Sequence, residues 1–401
     1  MGERFRQDAM ELEPKQKPIL GVHPDVLKLG LVSFLTDVSS EMIFSVFAIA
    51  FTTIAGASSA LLGLIEGMAD FSASSLNCVA GWLSDRSGRR KPLALAGYAF
   101  SAAAKTILLV ATTVTAMSLF RVAERLGKGL RGPPRDAWLA GVADKAVRGY
   151  SFGMHKALDK AGAVAGPLIA YGLLTWLGGT AQTFKTLFWV AFVPALLSVI
   201  LLSRIDDQPG VRHRSERVGD AWRTLRPGFK RYLVVASLFS LAYFSFGFLL
   251  LRAHTLGFST RDVVLLYAWF NVAVVASAPL VGKLGDLVGR RYVVMWSYLI
   301  YLLMSLGFAF ATAKWQIIAL FAVYGVFFSM DEAQSKAFIA DIEPERRATA
   351  IGIYNLVTGM AYVPASIMAG LFWLVQPSLA FLVAALLCLA AIAAFVLLRP
   401  R

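Results

Sequence analysis

The chain has 401 residues, of which 57% are hydrophobic and only 16% charged, with a mean hydropathy of +0.64. Soluble domains run at about 45–50% apolar and about 25% charged. A soluble globule of this length could not hide so much apolar surface, and disorder is excluded on the same grounds. The 39 Lys and Arg against 25 Asp and Glu leave a net charge of +14, which in a soluble protein would suggest nucleic acid; here the question is where the charges sit relative to a bilayer.

Residues 1–26 mix charges and prolines (Glu3, Arg4, Arg6, Pro14, Lys15, Lys17, Pro18) without a signal-peptide apolar core and read as a soluble tail. A bilayer-crossing helix needs about 20 mostly apolar residues. Twelve such stretches follow: 27–54, 60–83, 92–113, 116–140, 150–176, 184–203, 231–254, 262–284, 292–312, 315–339, 349–375 and 378–398. They are numbered here as spans 1 to 12. The segment 204–230 is the one long connection, and it divides the chain into an N-terminal half (27–203) and a C-terminal half (231–401) of six spans each. The two cysteines, Cys78 and Cys388, lie in separate apolar runs and form neither a disulfide framework nor a CxxC metal site.

The loops are charged on one side only. That side carries Arg86, Arg89, Arg90 and Lys91, then Lys145 and Arg148. It continues with Arg204, Arg212, Arg214, Arg217, Arg223, Arg226, Lys230 and Arg231, then Arg290, Arg291, Arg346 and Arg347. The loops on the other side, such as 56–59, 113–115 and 178–183, are nearly free of basic residues. The positive-inside rule places both termini and the central linker in the cytoplasm, as expected of a multi-pass protein of the plasma (inner) membrane.

An internal repeat follows span 2 and span 8. Gly81-Trp-Leu-Ser-Asp85-Arg86-Ser-Gly88-Arg89-Arg90 matches Gly282-Lys-Leu-Gly-Asp286-Leu-Val-Gly289-Arg290-Arg291 at an offset of 201 residues. Asp136–Ala140 matches Lys336–Ala340 at 200, and Arg148–Gly153 matches Arg347–Gly352 at 199. Three motifs at nearly one offset imply two pseudo-symmetric six-helix halves, with a substrate cavity near the midplane where they meet. The first of these loops resembles the signature loop of the major facilitator superfamily, and the resemblance runs over essentially the whole chain. Arg125-Leu-Gly-Lys-Gly129 looks like that superfamily's span-4 motif, whose arginine is tied to proton coupling. Gly162-x-x-x-Gly166-Pro167 is similar to the motif of drug/proton exchangers up to the proline, then reads Leu168-Ile169-Ala170, which leaves import or export open. The resemblance implies an all-α major facilitator fold. It also implies a gating role for the loop, with Gly81 and Gly88 permitting close approach and Asp85, Arg86, Arg89, Arg90, Asp286 and Arg290 supplying charge. On the residues alone, the arginines also suffice as topology determinants.

Charges inside the membrane cost about 2.5–3.5 kcal/mol each on insertion scales and are functional candidates. Span 1 carries Asp37 and Glu41, four apart on one face; span 2 carries Glu66 and Asp70 at the same spacing. Four acids on two adjacent helices suit proton or cation coupling; the alternative is pairing with span-4 arginines. Span 4 carries Arg121, Glu124, Arg125, Lys128, Arg131, Arg135 and Asp136 within an arc of roughly 140° at about 100° per residue, a stripe that cannot face lipid. It either neutralises a substrate anion or forms an internal ion-pair lattice. Gly127, Gly129, Gly132, Pro133 and Pro134 imply that this helix is broken or closely packed. In span 5, His155 shares a face with Asp159 and is a candidate proton shuttle. Asp331 and Glu332 of span 10 are expected to pair with the span-4 stripe. Tyr243, Phe244, Phe246 and Tyr267 are candidates for an apolar cavity wall, or for packing.

These features point to a secondary active transporter of a small organic solute, anionic or zwitterionic by preference, working by alternating access and coupled to protons. No GxxxxGK[ST] or HExxH is present, so neither ATP-driven transport nor enzyme activity is expected, and no cofactor or resident metal is called for. The partners expected are the solute, protons and the lipid bilayer, with the chain acting as a monomer. The rival readings are transport of a metal cation or a metal chelate such as a siderophore, with Asp37, Glu41, Glu66 and Asp70 as hard oxygen ligands, and a non-transporting receptor or scaffold.

Overall fold

A computed structural model describes residues 19–143, 148–207, 225–343 and 347–400. The tail charges up to Lys17, the linker arginines Arg212, Arg214, Arg217 and Arg223, and Lys145 and Arg346 lie outside the described residues. So do the side chains of Asp85, Arg148, Asp286 and Arg347.

All twelve spans are helical. In the first half, span 1 is Pro24–Ile49 continued by a π-helical turn, Ala50–Ile54, and span 2 is Ser59–Ser87. Span 3 is Arg90–Val110, span 4 Val114–Val142, span 5 Arg148–Leu177 and span 6 Ala181–Ser203. Span 7 is two helices, Pro227–Ala242 and Gly247–Thr255. Span 8 is Thr260–Val288, span 9 Arg290–Phe310, span 10 Lys314–Ile342, span 11 Arg347–Val375 and span 12 Pro377–Leu398. Four of them start with a hydroxyl that accepts the amide three residues on: Ser58 from Leu61, Thr113 from Ala116, Thr180 from Thr183 and Ser259 from Asp262. Span 2 ends at Gly88, whose φ of 66° lets the chain turn at once into span 3.

Among the described residues, nine helices are long and apolar enough to cross a membrane by composition alone. The three that fall short are spans 2, 4 and 5, which carry most of the intramembrane charge. Their charged faces are turned into protein, so composition understates them.

Span 4 is unbroken through Pro133 and Pro134. Its glycines serve close packing instead: a Cβ on Gly129 would stand 3.0 Å from the Ala73 Cα of span 2, and one on Gly97 of span 3 would stand 2.6 Å from the Arg131 amide. The break falls in span 7, at residues 243–246, which the sequence reading treated as continuous helix. There the Tyr301 hydroxyl donates to the Ala242 carbonyl at 2.7 Å, and the Ser245 hydroxyl accepts the Gly247 amide at 3.2 Å. The freed backbone groups are thus satisfied inside protein, as a membrane requires.

Within each half the packing repeats. Span 4 lies between spans 2 and 3, as span 10 lies between spans 8 and 9; span 1 packs on spans 5 and 6, as span 7 packs on spans 11 and 12. Spans 1 and 2 do not pack along one another, which corrects the expectation that their acids share an interface. The halves meet chiefly along spans 2 and 11 and along spans 5 and 8. The Ser59 hydroxyl donates to the Gly370 carbonyl at 3.2 Å, Gly63 abuts Ser366, Gly67 abuts Val363, and Gly359 abuts Ser74. These approaches run from the start of span 2 to its middle. Beyond them, Gly81 faces Pro133 of its own half. The halves are therefore closed on the side away from the termini and part toward the signature-loop side.

A Cβ on Gly67 would stand 2.9 Å from the Val363 Cα, so Gly67→Val should hold spans 2 and 11 apart. In a background without native cysteines, a cysteine replacing the buried Ser366 should then react several-fold faster with a water-soluble maleimide. An unchanged rate would show that this contact does not close the path.

Candidate functional site

The centre of the N-terminal half is a lattice of buried charge built around span 4. The Arg121 guanidinium forks onto Glu66 of span 2, with Nε to Oε1 at 2.6 Å and Nη2 to Oε2 at 2.8 Å, and only 4% and 1% of the two residues is exposed. The Ser245 hydroxyl, from the break in span 7, donates to the same Oε2 at 2.9 Å. Phe44 and Phe47 of span 1 cover the guanidinium, their ring centroids 4.6 and 5.5 Å from its carbon. One turn on, Arg125 Nη2 stands 3.5 Å from Asp70 Oδ1.

Glu124 is buried on the same helix. It accepts the Ser40 hydroxyl at 3.1 Å, and Ser40 in turn accepts Lys105 Nζ at 3.3 Å. Lys105, on span 3, is 1% exposed. The sequence reading did not single it out, although a lysine this far inside an apolar helix is a visible signal. Arg131 donates to the Ser101 hydroxyl at 2.7 Å and lies over the Tyr98 ring at 4.8 Å. Arg135 is held by Asp136 at 2.8 Å and by the Ser33 hydroxyl at 3.1 Å, and Ser33 lies 3.1 Å from His155 Nε2. His155 is thus placed beside a hydroxyl, while Asp159 meets Lys156 at 3.4 Å. The span-4 stripe is largely lattice.

One of its members faces outward from that lattice. Lys128, at the midpoint of the 29-residue span 4, is exposed. The acids nearest to it are Asp37, Glu41 and Glu124. An exposed lysine at mid-helix, facing the acids of span 1, marks a water-accessible cleft. Asp37 is half-buried there, and among the described residues no ion pair or hydrogen bond closes on its carboxylate. Its nearest charges are Asp159, Lys128, Glu41 and Arg131. Arg125 keeps an unpartnered buried Nε. Glu41 takes a very short hydrogen bond from the Tyr267 hydroxyl of span 8, across the two halves.

The C-terminal wall is aromatic. Phe246 packs on Phe44, Tyr267, Phe270 and Tyr324, and the Tyr324 hydroxyl donates to that of Tyr243 at 3.0 Å. Phe244 turns away, against Phe248 and Phe381 inside its own half. Glu332 meets Lys156 of span 5 at 3.7 Å, and Asp331 accepts the Ser335 hydroxyl at 3.1 Å. Neither pairs with span 4, because the basic groups there are already committed to spans 1, 2 and 3 or stand across the cleft. The loop arginines also hold their own halves. Arg90 lies over Gly141 at the end of span 4, and Arg290 donates to Asp341 at 2.8 Å and to the Ala337 carbonyl at 3.2 Å, the equivalent place in span 10. Arg86 stacks on Trp82 at 5.2 Å, and the Arg89 amide donates to Ser87.

Twelve spans in two repeated halves around a charged midplane cleft define a membrane transport protein. The family model described as Major Facilitator Superfamily matches residues 29–268 and 232–401. The chain is 30% identical over 372 residues to the uncharacterized MFS-type transporter MJ1317 of Methanocaldococcus jannaschii, covering 91% of this chain and 92% of that one. It is 26% identical over 280 residues to the multidrug resistance protein MdtH of Cronobacter sakazakii, covering 68% and 60%. Among solved structures, the nucleoside transporter NupG superposes with a TM-score of 0.75 at 13% identity, over 94% of this chain and 99% of that chain. A POT family transporter in complex with 5-aminolevulinic acid superposes with a TM-score of 0.77 at 12% identity, over 95% and 97%. The chain belongs to the Major Facilitator Superfamily.

Breaking a buried pair by removing one partner costs about 3–5 kcal/mol, because it strands a charge. Lys105→Met should therefore lower thermal stability in detergent by several degrees, and Lys105→Met with Glu124→Gln should recover more than half of the loss. Strictly additive losses in the double variant would show that the two residues do not compensate one another.

Proposed function

We propose that this chain is a proton-coupled transporter of a small organic solute bearing an anionic group, moved by alternating access at the cleft between the halves. One observation carries the reading: exposed Lys128 at mid-span faces half-buried Asp37, and neither is consumed by the lattice around them. Lys128 and Arg125 supply donors for a carboxylate or phosphate. Asp37 is the carboxylate that exchanges protons with the cleft, Glu41 its neighbour one turn on, and the Glu41–Tyr267 bond ties that region to the other half. Glu66 and Asp70 are held by Arg121 and Arg125 and keep the lattice neutral. The same commitment argues against the metal-cation reading, because acids facing arginines do not assemble the oxygen cluster that a divalent ion needs. A scaffold would have no use for the free charge at Lys128 and Asp37. In this reading the termini and basic loops face the cytoplasm of the inner membrane and the chain works as a monomer, so the closed side described above is the external one.

The test uses proteoliposomes loaded with a pH-sensitive dye and supplied with a panel of organic anions, zwitterions, drugs and metal ions. Solutes that are carried should move protons with them. Asp37→Asn should cut gradient-driven movement of such a solute more than tenfold while exchange of solute for solute continues. Full gradient-driven transport by Asp37→Asn would remove Asp37 from coupling.

A further inference from the structure

Two adjacent acids of span 10 lie near the centre of the membrane outside the coupling scheme; Glu332 meets Lys156, and Asp331 does not. Asp331 lies three residues past the midpoint of span 10 and is half-buried. Its hydrogen bond comes from Ser335, one turn on along the same helix, and among the described residues no basic group pairs with it. The cation within electrostatic reach of it is Lys336, further along the span and exposed. An unpaired carboxylate at this depth is costly unless something arrives to meet it.

The groups around it indicate what that is. Tyr243, Tyr324, Tyr354 and Tyr362, from spans 7, 10 and 11, all lie within electrostatic reach of Asp331. The Tyr243 and Tyr362 ring centroids are 5.5 Å apart, and Tyr243 and Tyr324 are joined hydroxyl to hydroxyl. Tyr243, Tyr354 and Tyr362 are half-buried, so this aromatic cluster keeps part of its ring surface open. Asp70 of span 2 lies within electrostatic reach of Tyr324 and Tyr362 from the other half, and Asp70 stands 3.5 Å from Arg125. The aromatic cluster and the span-4 cations therefore face one space. Ring faces attract cations, and a carboxylate behind them adds net charge.

We infer that Asp331 and the tyrosines around it receive a protonated amine of the transported solute, whose anionic group is held by Lys128 and Arg125 across the cleft. The inference rests on the cleft being the solute site, and it narrows the cargo to amine-bearing zwitterions and away from simple anions. Asp331 supplies the charge. Tyr243, Tyr354 and Tyr362 supply ring faces that exclude water from the ammonium and leave room for a flat apolar body.

The experiment titrates the full chain in lipid nanodiscs, by calorimetry, with three probes sharing one aromatic body: L-phenylalanine, its methyl ester and N-acetyl-L-phenylalanine. The two probes with a free amine should bind at least tenfold more tightly than the acetylated one. Asp331→Asn should erase that preference, and Tyr362→Leu should weaken it several-fold. Both variants should bind the acetylated probe within twofold of the parent chain, which also reports that they are folded. Equal affinity for all three probes, a preference that survives Asp331→Asn, or binding of none of them overturns the inference. Proton-driven transport that persists without an amine preference sinks this inference alone. An amine preference that persists without proton-driven transport sinks the coupling reading alone.

Discussion

The fork between Arg121 and Glu66 constrains everything near it. Two full charges are placed where almost no water reaches them. A pair so buried gains little net stability over an apolar one, since desolvation consumes most of the Coulombic attraction. What it does is fix the arrangement. The planar guanidinium accepts one orientation of the carboxylate and so sets the register of span 4 against span 2. Because Glu66 also accepts from Ser245, the same carboxylate holds the break in span 7 against the N-terminal half. Arg121 Nη1 still stands 3.9 Å from Glu124, and Glu124 reaches a second counter-charge, Lys105 on span 3, through Ser40. Arg131 is turned toward Ser101 and Tyr98. What remains unspent is Lys128 and Asp37, and these face the cleft.

The two halves share a scaffold and differ in chemistry. Arg90 over Gly141 and Arg290 on Asp341 are the same contact separated by 200 residues. The close approach of Gly129 to Ala73 recurs where Gly325 meets Ala273. These are the contacts that hold one helix end or one helix pair, and a duplicated bundle needs them twice. The cleft-facing positions have no such obligation. One half fills them with a graded set of charges, and the other with tyrosines and phenylalanines in mutual ring contact.

The spans, the two-fold repeat and the depth of the charges were legible because each is a local or periodic property of the chain. Twenty apolar residues, an offset near 200 and a stripe at helical spacing all survive without coordinates. The partners of the charges were not legible, because they depend on which helices become neighbours. Asp37, Glu41, Glu66 and Asp70 look like one cluster until span 1 is seen to pack on spans 5 and 6 and span 2 on spans 4 and 11, after which each acid faces a different set of groups. Glu332 likewise seemed destined for span 4 and instead met Lys156 of span 5, which the packing of spans 5 and 8 brings near. Lys105 was legible and passed over, since one lysine in an apolar helix attracts less attention than a stripe of seven charges. The break in span 7 left no mark in the sequence: Tyr243–Phe246 contains neither proline nor glycine, while Pro133 and Pro134, which look like a break, sit in a continuous helix.

That last contrast has a physical reason. A proline interrupts a helix only where the surroundings cannot re-satisfy the backbone, and span 4 is enclosed by spans 2 and 3 along its length. A break without proline needs the reverse, a neighbour that offers better hydrogen bonds than the helix itself. Span 7 has two such neighbours: Tyr301 takes the Ala242 carbonyl, and Glu66 takes the Ser245 hydroxyl from across the interface. The equivalent stretch of span 1, near Ile43–Val46, stays helical. The break is thus tied to the buried Glu66 across the interface of the halves. Ser245 thereby links the break to the Arg121–Glu66 pair that fixes the rest of the lattice.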